Sequence, residues 1–337
     1  MTRQVSILKA GPGITCQDRG RPGYLAYGLS RGGAADILAL SEGAALLGQS
    51  PDLGAIEMPG MGGDFRASQD MRIALTGAQM TATLDGAPLA WNASHLLGAG
   101  QVLSIGPARR GTYGYLTFGG GLAETPVLGS LSSHLAAGLG QGVQPGTVLH
   151  IGADHGTEVG MTLPPEPRFG GGEVRVLPSL QTDLFDPAQL QRFEQTEFHR
   201  DHRGNRMGLR MVSDGAGFRA EGGLTALSEV IVPGDIQITG DGTPFVLMAE
   251  CQTTGGYPRI GTVLPCDLPR VAQAMPGDTI RFAFVTREDA YQAETRARAG
   301  LRALGAGVRP LLRDPADMPD LLSYQLISGM IAGTEEP

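Results

Sequence analysis

The chain has 337 residues, a length that suggests about two domains, each large enough to bury its own core. A net charge of −8 argues against a nucleic-acid partner, because phosphate contacts need a basic surface. The hydrophobic fraction of 41% excludes a mostly disordered chain. The 52 glycines and 23 prolines are spread along the sequence, which predicts many short elements and favours a β-rich fold.

The sequence gives no indication of secretion, membrane insertion or metal binding. Its first 13 residues are too polar and too short for a secretory signal. No apolar run approaches the roughly 20 residues that cross a bilayer. Cys16, Cys251 and Cys266 are odd in number and lack the spacing of metal ligands. We therefore expect reduced thiols in a cytoplasmic protein, with no metal site and no membrane partner.

Lysine chemistry is restricted to one residue, because Lys9 is the only lysine in the chain. The Met-Lys-Met segment of a biotin carrier is absent, and so is the Gly-Lys-Ser/Thr ending of a P-loop. The sequence therefore predicts neither covalently carried biotin nor ATP held by a P-loop on this chain.

Residues 11–36 form a glycine-rich loop that carries Gln17, Asp18 and Arg21. Two interpretations remain open for these polar side chains. Asp18 and Arg21 can pair with each other on a solvated surface loop. Alternatively, the loop belongs to a site and is held on a rigid scaffold.

The remainder of the first half predicts a helix followed by strands. Residues 36–47 have apolar side chains at helical spacing and begin with an aspartate suited to the N-cap. Residues 71–75 and 80–84 read as strands, and the Asp85-Gly86 turn that follows predicts a hairpin.

A weak internal repeat favours two related β lobes over two unrelated domains. A glycine, a polar residue and an alternating strand recur at residues 99–105, 145–151 and 276–282. Residues 163–172 are rich in proline and glycine, and they form the predicted boundary between the lobes.

The second half contains Arg206 and Arg210, which would share one face if both lay on a strand. Together they could hold a carboxylate or a phosphate through paired hydrogen bonds, whereas a solvated basic strand is the alternative. Helices are predicted at residues 187–197, 288–304 and 318–331.

Residues 248–258, MAECQTTGGYP, join a predicted strand to a cluster of hydrogen-bonding side chains around two glycines. By itself the segment is explained by a strand end and a polar turn. Opposite the first glycine-rich loop, it would form one wall of a cleft.

Five motifs in one order, spanning roughly residues 5–285, resemble the carboxyltransferase-domain family. They are TCQDRGRPGYLAYGLSRGGAAD, YLTFGGG with PVLGS, NRMGLR, SEVIVPGDIQ, and CQTTGGYPRI with PGDTIRF. The family includes the C component of bacterial 5-oxoprolinase, proteins called allophanate hydrolase subunit 2, and the carboxyltransferase part of urea carboxylase. The chain departs from the family where Glu250-Cys251 replaces the usual Asp-Arg.

The resemblance implies a mainly β fold in which two cyclophilin-like β-barrel lobes face each other across a cleft. Short helices and a C-terminal helical extension accompany the lobes. We expect the first lobe at residues 1–165, the second at residues 173–286 and the helical extension at residues 287–337.

The resemblance also implies a function: the C component of an ATP-dependent 5-oxoprolinase-like amide hydrolase, which opens 5-oxoproline to glutamate. The implied partners are a B component, related to allophanate hydrolase subunit 1, and a hydantoinase-like A component. ATP would be used by the assembled complex. Two alternatives remain: biotin-dependent carboxyl transfer, with carboxybiotin from a separate carrier, and a non-catalytic regulatory role toward the B component.

Within this hypothesis the two glycine-rich segments supply the site. The residues assigned to catalysis are Asp18, Arg21, Gln252 and Tyr257. Those assigned to substrate binding are Gln17, Arg206, Arg210, Thr253, Thr254, Gly255 and Gly256. The arginines would hold a carboxylate or an acyl phosphate, and Asp18 would act as a general base on water. The amide, hydroxyl and phenol groups of the second segment would orient the substrate or stabilise an oxyanion.

Overall fold

A computed structural model describes residues 3–164, 166–220 and 228–312. The described chain is mainly β, as the sequence predicts. Its strands fall into an eleven-stranded sheet, termed the first lobe, and a closed seven-stranded barrel, termed the second lobe. None of the described helices is long and apolar enough to cross a membrane.

The first lobe is built from the strands of the first half of the chain and one short strand near the end of the described residues. These are β1 (Gln4–Ala10), β2 (Thr15–Gln17), β3 (Ala55–Pro59), β4 (Gly63–Ala67), β5 (Met71–Leu84), β6 (Ala87–Pro88), β7 (Ala93–Leu97), β8 (Val102–Phe118), β9 (Val148–His150), β10 (Met161–Thr162) and β20 (Arg309–Pro310). The sheet order is β9-β1-β4-β8-β5-β7-β10-β20, with β3 on β8, β2 on β3 and β6 on β5.

The second lobe is a ring of strands in the order β11-β18-β15-β16-β13-β12-β19. Their bounds, with those of the small β14–β17 pair beside the ring, are β11 (Gly172–Leu177), β12 (Phe198–Gly204), β13 (Gly208–Val212), β14 (Glu229–Val230), β15 (Asp235–Ile238), β16 (Pro244–Leu247), β17 (Thr254–Gly255), β18 (Arg259–Val263) and β19 (Thr279–Phe284). The parallel pairing of β11 with β19 closes the ring. Alternate side chains of each strand point inward, as a barrel requires.

The described helices are α1 (Ile37–Leu46), α2 (Pro187–Gln195), α3 (Leu268–Gln273) and α4 (Arg287–Ala303). Three of them confirm predicted helices, with ends within two residues of the predicted ones. The short α3 was not predicted. The helix predicted at residues 318–331 lies outside the described residues, and the division into domains at 1–165, 173–286 and 287–337 stays a prediction.

The predicted hairpin at Asp85 is confirmed, but the strands around it are longer than expected. Residues 71–75 and 80–84 belong to the single 14-residue strand β5, which pairs with the 17-residue β8. Between Gly77 and Ala82 the register of the β5–β8 pairing shifts at β-bulges. The strand therefore continues through the residues between the two predicted strands.

A buried polar cluster joins the two lobes at the start of α1. Asp36 Oδ1 accepts hydrogen bonds from the first-turn amides of the helix, and so caps it. Asp36 Oδ2 accepts from Arg168 Nε at 2.7 Å and from Gln273 Nε2 at 2.8 Å. Gln273, from α3, also accepts from the backbone amide of Tyr113 on β8 at 3.0 Å. One carboxylate therefore fixes a helix of the first lobe to a helix of the second.

We expect Asp36→Ala to lower the free energy of unfolding by roughly 2–4 kcal/mol, because it removes the cap of α1 and leaves buried donors of Arg168 and Gln273 without this acceptor, while Arg168 stays paired with Glu42. Asp186 provides a matched control, since its side chain caps α2 through the Gln189 amide alone. Asp186→Ala should cost about 1 kcal/mol, the usual cost of losing an N-cap. Urea denaturation measures both losses, and equal losses would contradict a joining role for Asp36.

Candidate functional site

A cleft of about 550 Å³ lies between the lobes and takes its lining from both. The size suits a small molecule, and protein sites for such ligands are usually apolar clefts with a few polar groups. The first lobe contributes chiefly Pro59, Gly60, Thr112, Tyr113, Leu135 and Ala136. The second lobe contributes chiefly Arg200, Asn205, Arg206, Met207, Glu250 and Met275.

The hairpin of β12 and β13 carries the two cleft arginines. Arg200 lies two residues after Phe198 on the same face of β12, and its buried side chain lines the cleft. Arg206 lies in the connection, where Asn205 Oδ1 accepts from the Met207 amide at 2.8 Å and shapes the turn. One side chain is thus placed by strand alternation and the other by a tight turn.

Arg206 bridges the lobes through three partners. Its Nε donates to Glu250 Oε1 at 2.5 Å, its Nη1 donates to Glu57 on β3, and its Nη2 donates to the carbonyl of Gly33 at 2.5 Å. Burial alone would lower the pKa of Arg206, but the two carboxylates hold it above its ordinary value. The guanidinium stays charged, and each of its nitrogens is engaged by the protein.

Glu57 carries the network from the cleft into the first lobe. Its Oε2 accepts from the Tyr115 hydroxyl at 2.6 Å and from the Ala35 amide at 2.8 Å. The Tyr115 hydroxyl in turn accepts from the Asp36 amide at 2.8 Å. Burial raises the pKa of Tyr115 well above its ordinary value, and Glu57 adds to this rise. The network therefore connects the cleft to the cap of α1.

Glu250 carries the same network toward His134 and Ser30. Glu250 Oε2 accepts from the Ala136 amide at 3.2 Å and lies 3.8 Å from His134 Nδ1. His134 Nε2 lies 2.8 Å from the Ser30 hydroxyl, while Nδ1 accepts from the Ala137 amide. The neutral ring therefore carries its proton on Nε2 and donates to Ser30.

The Ser30, His134 and Glu250 side chains resemble a nucleophile triad in composition but not in geometry. In such a triad the histidine donates through Nδ1 to the carboxylate and accepts from the serine through Nε2. Here Nδ1 is an acceptor, and Ser30 is only 2% exposed. These three residues therefore have a structural role beside Leu135 and Ala136, which line the cleft.

The predicted residues Gln17, Asp18 and Arg21 share one buried cluster that holds residues 130–133. Four donors surround the Asp18 carboxylate: the Ser130 hydroxyl at 2.6 Å, the Ser132 hydroxyl at 2.5 Å, and the amides of Gly20 and Leu131. With its oxygens so engaged, Asp18 is poorly placed to accept a proton from water. Its role as a base stays a prediction.

Arg21 and Gln17 donate to the same segment. Arg21 contacts the carbonyl oxygens of Val127 and Ser132, and Gln17 Nε2 donates to the Ser133 carbonyl at 3.1 Å. Burial lowers the pKa of Arg21, opposed by Asp18, Glu250 and Tyr24. Neither Gln17 nor Arg21 lines the cleft, and their catalytic or binding roles also stay predictions.

The second predicted wall, residues 252–257, lies beside the barrel and outside the cleft lining. Thr254 and Gly255 form β17, the Thr253 carbonyl accepts from the Ile231 amide at 3.1 Å, and Gly256 follows. Tyr257 is 45% exposed. Gln252 lines an adjoining pocket of about 520 Å³, which shares Asn205 and Met207 with the cleft lining. The roles of all six residues stay predictions.

The two segments nevertheless meet, because the Gly32 amide donates to the Ala249 carbonyl at 3.0 Å. Arg206 and Arg210, in contrast, are separated. The strand β13 begins after Arg206, so the two side chains do not share a strand face. Arg210 pairs with Asp201 at 2.9 Å and Asp241 at 3.3 Å, and it does not line the cleft.

Four residues at the site were not predicted from the sequence: Arg200, Tyr113, His134 and Glu250. Arg200 had a detectable signal, since it lies on the same strand face as Phe198 in the alternating run that begins there. Glu250 was visible as a departure from the family motif. The partners of His134 and Tyr113 are distant in sequence, so no local pattern reveals them.

We expect Arg206→Met to lower the free energy of unfolding by roughly 3–5 kcal/mol, because Glu57 and Glu250 stay buried without their shared cation. Arg281→Met removes an exposed pair with Glu197 and should cost less than about 1 kcal/mol. Urea denaturation compares the two. Adding Glu57→Gln and Glu250→Gln to Arg206→Met should restore part of the loss, and no recovery would contradict the pairing.

Stability should also depend on pH through His134. Burial lowers its pKa below the ordinary value of 6.5, and Glu250 offsets this only in part. The unfolded chain therefore binds this proton more readily, so stability present above about pH 6.5 is lost as the pH falls through the folded-state pKa. We expect a smaller loss between about pH 7 and pH 5 in His134→Gln than in wild type.

Urea denaturation at both pH values tests this expectation. His202, which is 81% exposed, provides the control, and His202→Gln should keep the wild-type pH dependence. An unchanged pH dependence in His134→Gln would show that the imidazole of His134 is not responsible.

Comparison with known proteins places this architecture in a family. A family model described as carboxyltransferase domain, subdomain A and B, matches residues 27–284. A protein of Haemophilus influenzae, named as the C component of 5-oxoprolinase, is 34% identical over 290 residues, covering 85% of this chain and 93% of that protein. The protein of the same name from Escherichia coli K12 is 32% identical over 294 residues, covering 86% and 94%.

A solved structure supports the fold. The urea carboxylase of Kluyveromyces lactis matches with a TM-score of 0.79 at 23% identity, over 93% of this chain and 31% of that one. At this identity the likeness concerns the fold alone. The family model and the two 5-oxoprolinase relatives together show that the chain belongs to the carboxyltransferase-domain family.

Proposed function

We propose that this chain is the C component of an ATP-dependent 5-oxoprolinase-like amide hydrolase, which opens 5-oxoproline to glutamate. The supporting observation is the similarity to two proteins named as that component of 5-oxoprolinase, which extends over 93% and 94% of their lengths. The cleft between the lobes is the proposed site of the reaction, because both lobes contribute to its walls.

The proposal includes an assembly. Both relatives are named as subunits, which supports a complex of several chains. We propose a B component and a hydantoinase-like A component as partners, in the cytoplasm. Opening a lactam, a resonance-stabilised amide, requires an activated carbonyl, and ATP consumed by the complex would supply that activation. This chain has one lysine and no P-loop, so its residues do not fit a P-loop ATP site and no step is assigned to ATP here.

Within the cleft, the proposed part of Arg206 is to hold Glu57 and Glu250 in fixed positions. All three of its nitrogens have protein partners, so it is poorly placed to bind the substrate directly. A side chain fixed by several partners gives the preorganised geometry that catalysis needs. The adjoining pocket at Gln252 remains the proposed location for any contribution from residues 252–257.

The alternatives have less support. Biotin-dependent carboxyl transfer is supported by a likeness of fold to urea carboxylase and by 24–26% sequence identity to urea amidolyases and a putative urea carboxylase. A purely regulatory role toward the B component has no structural observation of its own. Carboxyl transfer predicts an assembly that does not convert 5-oxoproline, and a regulatory role predicts a rate that does not depend on the cleft of this chain.

The test is to co-express the chain with its A and B partners and measure ADP and glutamate formed from 5-oxoproline. Leu135 lines the cleft, and Leu135→Trp narrows it, so we expect kcat/KM to fall about tenfold or more. Leu180 is 96% exposed and does not line the cleft, so Leu180→Trp should leave the rate unchanged. Size-exclusion chromatography confirms that each variant assembles.

An intact assembly of wild-type chains that forms no glutamate would refute the proposed function. Equal rates for wild type and Leu135→Trp would instead show that the reaction takes place elsewhere.

A further inference from the structure

We propose that Arg200 is the residue on which the cleft binds the carboxylate of a small organic acid. Arg200 lines the cleft and is only 6% exposed. Its Nε is buried and has no hydrogen-bond partner. Within the described part of the chain, no carboxylate forms an ion pair with its guanidinium.

Arg206, the other arginine in the cleft lining, is not available for this role. Its nitrogens are taken by Glu250, Glu57 and the Gly33 carbonyl. Arg210, which was predicted to bind the ligand together with Arg206, lies outside the cleft and forms ion pairs with Asp201 and Asp241. Arg200 is therefore the cleft cation with free donors.

A buried cation without a partner is unfavourable in a protein, because dehydration is not repaid by an opposite charge. Burial accordingly lowers the pKa of Arg200, opposed by Tyr113, Asp201 and Asp278. An anion that enters the cleft would offset that cost. Arginine suits a carboxylate in particular, because two of its N–H groups can donate in parallel to the two carboxylate oxygens.

The remaining lining of the cleft restricts the rest of the ligand. Pro59, Tyr113, Met207 and Met275 present mostly apolar surface. Arg206 already pairs with the Glu250 carboxylate, so Glu250 is not available to bind a positively charged group of the ligand. The ligand class is therefore a compact acid with one carboxylate and an uncharged body.

The identity of that acid rests on the proposed function. L-5-oxoproline has a single carboxylate on a five-membered lactam ring, and it fits the class. Arg200 would hold the carboxylate, so that the ring occupies the apolar part of the cleft. In this role Arg200 determines specificity for the acid over the neutral lactam.

The test compares the affinity of two probes by isothermal titration calorimetry, using the full chain and the assembled complex. The probes are L-5-oxoproline and 2-pyrrolidinone, the same ring without the carboxylate. We expect Arg200→Met to weaken binding of the acid about 10- to 100-fold, the value of a charged hydrogen bond. Binding of 2-pyrrolidinone should not change, and Arg200→Lys should retain part of the affinity for the acid.

Arg281→Met is the matched control, because Arg281 lies on the neighbouring strand β19 and is 59% exposed. It should bind both probes as wild type does. Thermal unfolding without ligand separates a binding role from a structural one. Loss of an unpaired buried charge should leave the Tm of Arg200→Met equal to or above that of wild type, whereas a structural arginine would lower it.

The inference is overturned if wild type binds the acid no better than 2-pyrrolidinone in both preparations, or if Arg200→Met leaves the difference intact. It is also overturned if Arg200→Met binds normally at an unchanged KM in an active complex, which would leave the proposed function standing. Conversely, Arg200-dependent binding of the acid by a complex without turnover would support the inference and refute the proposed function.

Discussion

The pairing of one arginine with two carboxylates from different lobes is the interaction on which the structure depends. Arg206 has Glu57 of the first lobe on one side and Glu250 of the second on the other. Neither carboxylate is exposed enough to be stabilised by water, so their charges are tolerated only while the lobes are together. The Arg206 pairs therefore fix three segments relative to one another: β3, the β12–β13 connection and the residues after β16. The cleft is the space left between these segments.

A second series of buried contacts also joins the two lobes. Arg168, which lies between β10 of the first lobe and β11 of the barrel, is shared by Asp36 and Glu42. Tyr115 and Glu57 connect this group to Arg206. A buried polar network adds little net stability, but any other packing of the lobes would leave some of its groups without partners. Because such unsatisfied groups are costly, the network favours one arrangement of the lobes. Among the described residues that line the cleft, Arg200 is the arginine without a carboxylate partner.

The sequence predicted the class of fold and most helices, because amphipathic spacing and an aspartate at an N-cap are local signals. It missed the continuity of β5, since Gly77 reads as a strand end when the partner strand is unknown. The residues of the site were harder to predict than the secondary structure. Asp18 and Arg21 drew attention as polar residues in a glycine-rich loop, but their partners at residues 130–132 come from more than 100 positions away. Arg200 was overlooked because an unpaired charge is a property of the folded surroundings.

The pairing of β10 with β20 determines where the chain crosses between the lobes. Thr162 and Arg309 lie side by side, so the chain leaves the first lobe and returns to it through adjacent strands. Both connections to the barrel thus start from one edge of the eleven-stranded sheet. At this edge the lobes are joined by the chain itself, whereas across the cleft they are joined by non-covalent contacts such as those of Arg206. A two-residue strand thus keeps the two covalent crossings side by side.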